Sequence, residues 1–288
     1  MRVYNNLYSV TSQRHLDTNS NALRGSLEKL SSGLRINRGA DAAAGLAISE
    51  GLRSDIRSLQ QATRNANDGV SLINTAEGAL SEQASILVRM RELAAQSATG
   101  TVGSTERQTI NREFTALRNE IDRISSVTEF NGQKLLNGAM SADAATLATS
   151  GSNSVAIQIG MQATVNDRIS LNQQVDLTAI DSTGLNITDI SVTHASSALD
   201  SMTRLDSALS KVTEARGKLG AVQNRLVHTI NNLAVSSENL QAAESQIRDA
   251  DYASEISAFT RNQIMVQAST SILAQSNLVP QSVLQLLR

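Results

Sequence analysis

Apolar residues recur every seven positions along two long stretches of this chain. The first series is Leu52, Leu59, Ala66, Ile73, Leu80, Leu87 and Ala94, with Ile56, Val70 and Ala84 four residues on. The second is Leu205, Val212, Leu219, Leu226, Leu233, Leu240 and Ile247, with Leu209 and Ile230 four on and Val222 and Ala243 three on. A period of seven held over this many repeats is the apolar seam of a coiled coil. It implies a left-handed supercoil. At roughly 1.5 Å per residue, the second series alone spans about 63 Å.

A third helix is expected between them. Thr105 and Gln108 have capping-box spacing, which predicts Thr105 as the N-cap. The stripe Ile110, Phe114, Leu117, Ile121, Ile124 comes next, and Gly100 and Gly103 mark a turn before it. This helix is predicted to fold back antiparallel on 42–99. Residues 1–34 carry a looser stripe: Val3, Leu7, Val10, then Leu16, Leu23, Leu27, Leu30 and Leu34. Gly33 and Gly39 interrupt it, so 33–41 reads as a connector, with Asp41 as N-cap of the next helix.

The period changes at about 128–192. Val155, Ile157 and Ile159 alternate in strand fashion, and ISLNQQVDL and GLNITDISV continue short alternating runs between turn residues. The fold class expected is mainly α: a long antiparallel coiled-coil helical rod with a small β-hairpin region in the middle of the chain, capping one end of the rod.

The last part of the chain is unusual in another way. From Asn262 to Leu287 there is no charged residue. Gln263, Gln267, Ser269, Gln275, Asn277 and Gln281 make the run too polar for a span, which needs roughly 20 mostly apolar residues. It is also too apolar for a solvated tail. Such a helix suits burial against other copies of the chain.

Composition sharpens this picture. Among 288 residues there are three Phe, three Tyr, no Trp and one Pro. Slender helices packed through Ala, Leu, Ile and Val fit that balance. The scarcity of Pro permits long helices, since Pro costs about 3 kcal/mol in a helix interior. Cys is absent, which excludes disulfides and thiolate metal sites. A net charge of -2 favours neither nucleic acid nor an anionic membrane as partner. The first residues have no continuous apolar region and no small-residue cleavage site, so no cleaved secretory signal is expected.

Candidate chemistry is sparse. His15, His194 and His228 are far apart, and no HExxH, calcium loop, phosphate loop or GxSxG turn occurs. No catalytic, cofactor or metal residue is assigned, and helix-borne acids such as Glu50, Asp55, Glu120 and Asp122 are read as surface pairing partners.

Long motifs carry a family resemblance. SSGLRINRGADAAAGLAIS (31–49), DGVSLINTAEGAL (68–80), VRMRELAAQSA (88–98) and NEIDRISSVTEFNGQKLLNG (119–138) closely resemble bacterial flagellin. So do LGAVQNRLVHTINNL (219–233), ENLQAAESQIRDADYASEIS (238–257) and SILAQSNLVPQSVLQLLR (271–288). The resemblance covers both ends and about three-quarters of the chain; about 140–195 carries no family signature.

The resemblance implies a structural subunit, not an enzyme, that polymerises into the extracellular flagellar filament for motility. It implies an inner terminal layer of 1–32 plus 250–288, a connector at 33–41, a long-helix layer of 42–127 plus 193–249, and a small variable region at 128–192. Inner-layer assembly residues are then Leu23, Leu27, Leu30, Leu34, Ile264, Ile272, Leu273, Leu278, Leu284 and Leu287. The rod seam uses Leu52, Leu59, Ile73, Leu80, Leu87, Leu219, Leu226, Leu233, Leu240 and Ile247. Implied partners are further copies of the chain, an export chaperone, the type III export apparatus, and the filament cap and hook-junction proteins. Arg89, Leu93 and Glu113 match the pattern through which flagellins meet an innate Toll-like receptor. The residues alone also read as interhelix pairing of Arg89 with Glu113, with Leu93 beside the seam.

Two features stand apart from that pattern. Tyr4 and Tyr8 occupy positions where small or aliphatic residues are the family's habit. The Ser/Thr-rich stretch SADAATLATSGSNS offers Ser141, Thr146, Thr149, Ser150, Ser152 and Ser154 as O-glycosylation candidates, or simply a solvated loop. A hook–filament junction protein and a secreted coiled-coil adhesin are the alternative readings. A protease insertion in the middle fails on ligand count, because 139–195 holds one His.

Overall fold

A computed structural model describes residues 6–138, 155–175 and 179–286, with side chains as far as 278. In chain order the helices are α1 (Leu7–Ser32), α2 (Gly39–Ala98) and α3 (Ser104–Val127). Strands β1 (Glu129–Phe130), β2 (Gln133–Lys134), β3 (Ala156–Gln158) and β4 (Arg168–Ser170) come after them. The chain then forms a short α4 (Leu171–Val175), α5 (Ala195–Arg248) and α6 (Tyr252–Leu286). It divides into a central unit, 57–237, and a terminal unit, 1–56 with 238–288. Both α2 and α5 contribute to each.

In the central unit the heptads are the core. Leu59, Ala66, Ile73, Leu80, Leu87 and Ala94 of α2 are buried, as are Leu205, Val212, Leu219, Leu226 and Leu233 of α5. Phe114 and Ile121 of α3 complete the same cluster. Contacts set the helix directions. Arg107 Nε of α3 donates to Ser97 O, and Gln83 Nε2 of α2 donates to Ile121 O, so α3 returns antiparallel along α2. Ion pairs Arg91–Asp206 and Arg216–Glu77 place α5 antiparallel to α2 as well.

The start of α3 differs from the sequence expectation. Gly103, not Thr105, is the N-cap, with no side-chain cap bond. The Glu106 carboxylate lies over Gly103, where a Cβ would collide with it. A carboxylate in the first turn answers the same exposed N–H groups that a threonine cap would have satisfied.

The irregular middle is not an end cap. β3 and β4 form an antiparallel pair with Ile157 opposite Ile169, and Ile157 inserts against Gly69 of α2 and Leu226 of α5. Farther along, Gln83 Nε2 also holds Ile180 O, Asp122 caps Ser182, Arg118 holds Thr188 O, and Ser97 Oγ holds Val192 O. The segment 179–192 therefore lies along the flank of α2 and α3. The predicted strand in GLNITDISV is absent among the described residues; Leu185, Ile187, Ile190 and Val192 are buried from an irregular backbone. Side-chain amides, carboxylates and guanidinium groups of the helices take the backbone bonds that a partner strand would have made. A second hairpin, β1–β2, turns through Asn131 (φ 51) and Gly132 (φ 79), the left-handed pair a two-residue turn requires.

In the terminal unit α1 pairs with α6. Asn6 caps α1 by accepting Ser9 N–H, and Gly33 ends it in the left-handed conformation (φ 74). The two connectors then pair: Arg35 N–H donates to Arg248 O and Ala250 N–H donates to Gly33 O. Asp41 is not the N-cap of the long regular part of α2, because the chain is extended one residue later, at Ala42 (φ -164, ψ 94). Its carboxylate turns back and accepts Asn37 N–H and Arg38 N–H, both at 3.0 Å. Those bonds tighten the connector and hold the Asp41 carboxyl below its ordinary value.

Candidate assembly surface

The α1–α6 pair mixes polar and apolar groups between its helices. Among its described residues Ser26, Ser269 and Ser276 are buried, and Leu16, Leu23, Leu30, Phe259, Val266 and Leu273 are half-buried. Side-chain bonds cross it: Asn6 Nδ2 to Ser276 O at 2.9 Å, Ser9 Oγ to Asn277 Oδ1 at 2.9 Å, Asn19 Nδ2 to Ser269 Oγ at 3.0 Å, and Asn262 Nδ2 to Ser26 Oγ at 3.3 Å.

A second set of large apolar residues faces away. Ile264 is 59% exposed, Ile272 58%, Leu278 54% and Leu27 49%, and Leu7, Val10, Ile256 and Met265 join them. Leu23, Leu30, Leu34 and Leu273 are half-buried. Side chains of Leu284 and Leu287 lie outside the described residues, as does Tyr4; Tyr8 is 82% exposed. The seam residues within this unit behave similarly. Leu52, Leu240 and Ile247 are half-buried, unlike their heptad counterparts in the central unit.

Such a surface needs a cover. Fully burying a Leu or Ile side chain is worth about 1.5–3 kcal/mol, and contiguous exposed apolar patches mark interaction sites. Charge does not oppose contact, since α6 carries none after Arg261. No helix among the described residues is long and apolar enough to cross a membrane.

Ion pairs organise the neighbouring connector. Arg248 donates to Glu50 at 2.8 Å, and Arg53 contacts both Glu50 and Glu244. The Arg248 hydrogen bond, then that of Arg53, holds the Glu50 carboxyl below its ordinary value. Arg38 pairs with Glu28 across the connector.

The second candidate surface lies on the central unit. Arg89 donates from Nε and a terminal nitrogen to Glu113 Oε1 at 3.1 and 2.9 Å, and also holds Glu92. These bonds, Glu113 first, raise the Arg89 pKa. Leu93 is only 2% exposed and packs in the core. The exposed part of the predicted receptor set is therefore Arg89 and Glu113. Leu93 falls on the inward side of α2 because Met90 and Ala94 share its stripe and both are buried.

Other candidates place simply. His15, His194 and His228 are exposed. Among the described residues no group of three His, Cys, Asp or Glu could hold a metal. A polar cleft of about 410 Å³ beside β3 and β4 is lined by Gln61, Asn65, Gln158 and Arg168. The glycosylation candidates Ser141, Thr146, Thr149, Ser150, Ser152 and Ser154 lie outside the described residues.

The polar side-chain bonds across α1–α6 are what sequence reasoning missed. Their signal was present: Asn262, Ser269 and Ser276 repeat every seven residues, the same period as the leucines.

Comparison with known proteins completes the description. Residues 3–141 match the family model "Bacterial flagellin N-terminal helical region", and 202–287 match "Bacterial flagellin C-terminal helical region". The flagellin of Bacillus subtilis is 47% identical over 310 residues, covering 100% of both chains. That of Halalkalibacterium halodurans is 50% identical over 290 residues, again covering 100% of both. A solved structure of a putative flagellar hook-associated protein from Vibrio parahaemolyticus, 13% identical, shares the fold with a TM-score of 0.56. It covers 73% of this chain and 100% of that one.

Proposed function

The chain belongs to the bacterial flagellin family and is a subunit of the flagellar filament, and from that premise we infer that the outward apolar face of α1 and α6 is its main contact with neighbouring copies. The family is a structural one, its members form the extracellular filament, and a junction or adhesin role is not favoured. The observation that carries the contact reading is the exposure of Leu27, Ile264, Ile272 and Leu278 on a pair that buries only serines fully among its described residues. Ordering α1 and α6 costs conformational entropy that their own packing offsets poorly. Covering the outward face with identical helices supplies the missing term.

In this reading 1–32 and 250–288 form the inner layer of the filament, 42–127 and 193–249 the layer around it, and 33–41 the link. The variable 128–192 adds little outward decoration. The subunit reaches the filament unfolded, through the type III apparatus, with its C-terminal segment met by an export chaperone. Cap and hook-junction proteins meet the ends of the polymer. Arg89 and Glu113 are the positions offered to a Toll-like receptor.

The test is salt- or heat-triggered polymerisation of purified monomer, followed by electron microscopy. Wild-type chain is expected to form long filaments, and Ile264→Asp with Ile272→Asp is expected to abolish them while the monomer stays folded. Normal filaments from that double variant would refute the contact assignment.

A further inference from the structure

The polar groups inside the α1–α6 pair recur with the heptad. Asn262, Ser269 and Ser276 are seven apart on α6, and Asn19 and Ser26 are seven apart on α1. Asn19 Nδ2 donates to Ser269 Oγ, and Asn262 Nδ2 donates to Ser26 Oγ. Moving seven residues forward on α1 moves seven residues back on α6, so both bonds belong to one antiparallel register. They are one rung in opposite senses: an amide from α1 to a hydroxyl of α6, then an amide from α6 to a hydroxyl of α1. Ser26 and Ser269 are 5% and 7% exposed, so water competes little for either.

We propose that the Asn19–Ser269 and Ser26–Asn262 rungs select the register of the terminal helix pair, and so decide which composite apolar face a neighbouring copy meets. The inference rests on the outward face being an assembly contact.

The alternatives show why these two rungs discriminate. Leucines seven apart tolerate a slip of one heptad. A slip in one direction sets Asn19 against Asn262 and Ser26 against Glu255, placing a carboxylate opposite the half of the pair that is most buried. A slip in the other direction sets Ser26 against Ser269 and leaves Asn262 against Gly33, with no side chain to receive its amide. Asn262 is half-buried, and an amide there without its partner loses a hydrogen bond that water replaces only in part. Only the observed register satisfies both asparagines with a hydroxyl. A polar residue in a helical seam that fixes register at some cost in stability is an established device, and here it accompanies the half-buried heptad residues Leu16, Leu23 and Leu30 of α1 and Phe259, Val266 and Leu273 of α6.

The experiment compares seeded polymerisation and filament order by electron microscopy for four chains: wild type, N19A/N262A, the exchanged rung N19S/S269N, and the apolar rung N19L/S269L. Thermal melting of the central unit controls for folding. N19A/N262A is expected to raise the critical concentration at least tenfold. N19S/S269N is expected to stay within about twofold of wild type. N19L/S269L is expected to give filaments of mixed helical order despite a more apolar pair, a result that mere stabilisation would not produce. Wild-type order in N19L/S269L, or wild-type assembly in N19A/N262A, would overturn the register assignment. Failure of Ile264→Asp with Ile272→Asp to block assembly would instead remove the contact reading beneath it.

Discussion

The central and terminal units use the same seven-residue period and turn it to different ends. In the central unit Leu59 to Ala94 and Leu205 to Leu233 turn inward and close a core around Phe114 and Ile121. In the terminal unit the buried positions among the described residues of α1 and α6 are Ser26, Ser269 and Ser276, leucines such as Leu16, Leu23 and Leu30 are only half-buried, and Leu27, Ile264, Ile272 and Leu278 turn out. The first arrangement is complete in one copy. The second leaves large apolar side chains open to solvent, and on the proposed reading neighbouring copies cover them. A periodic stripe therefore says that a face will be buried, and says nothing about whether the same chain or another one buries it.

The strongest way to break this contrast is a cavity in the central core. Phe114→Ala should lower the stability of that unit by about 3–5 kcal/mol, seen as a fall in melting temperature. Ile272→Ala, in the terminal unit, should leave that melting temperature unchanged and raise the critical concentration for polymerisation about tenfold, equivalent to about 1.4 kcal/mol. A drop in monomer stability of several kcal/mol from Ile272→Ala would erase the distinction.

Gly69 sharpens the central half. A Cβ there would overlap Ile157 of β3, so Gly69→Ala should destabilise by about 1–3 kcal/mol, although alanine favours the helix by about 1 kcal/mol. Hydrogen exchange should locate the loss in β3 and β4. Greater stability in the variant would mean that Ile157 moves aside freely.

Acid tests the connector of the terminal unit. Glu50 and Asp41 titrate below their ordinary values of 4.5 and 3.8 when folded. Their contribution is present above those values and is lost as pH falls through the lowered ones. Protection of the connector amides should fall below about pH 4, and Glu50→Gln should remove the Glu50 part of that dependence. An unchanged acid profile in the variant would exclude the Glu50–Arg248 pair as its source.

The smallest effect is expected at Arg89. The pair with Glu113 is half exposed, so Glu113→Ala should leave the melting temperature of the central unit nearly unchanged. A reporter-cell assay on dissociated monomer then reads receptor recognition separately from folding.

Much of this molecule was readable from its residues. The helices α2, α3 and α5, the fold-back of α3 and the flagellin motifs are all local or periodic signals. The misses were of another kind. Thr105 has good capping chemistry, yet Gly103 begins α3 because Glu106 lies over it. GLNITDISV alternates like a strand, yet its backbone bonds are taken by Asn111, Arg118 and Ser97 from two helices. Leu93 looks available beside Arg89, but α2 turns it into the core. The strand and Leu93 misses needed partners distant in the chain; the cap turned on Glu106, three residues away. The Asn131–Gly132 turn needed none and could have been read from its dipeptide alone.

Sequence alone determined that this chain would be long helices, because heptads without proline leave few other ways to bury their leucines. It also determined that the C-terminal helix would be charge-free from Asn262, too polar for a span and too apolar for a solvated tail. Only the tertiary structure decided which side of that helix is left open. Periodicity marks a stripe on one helix, but inside and outside are defined only once a second helix is docked, and here the second helix brought asparagine and serine as well as leucine to the shared side.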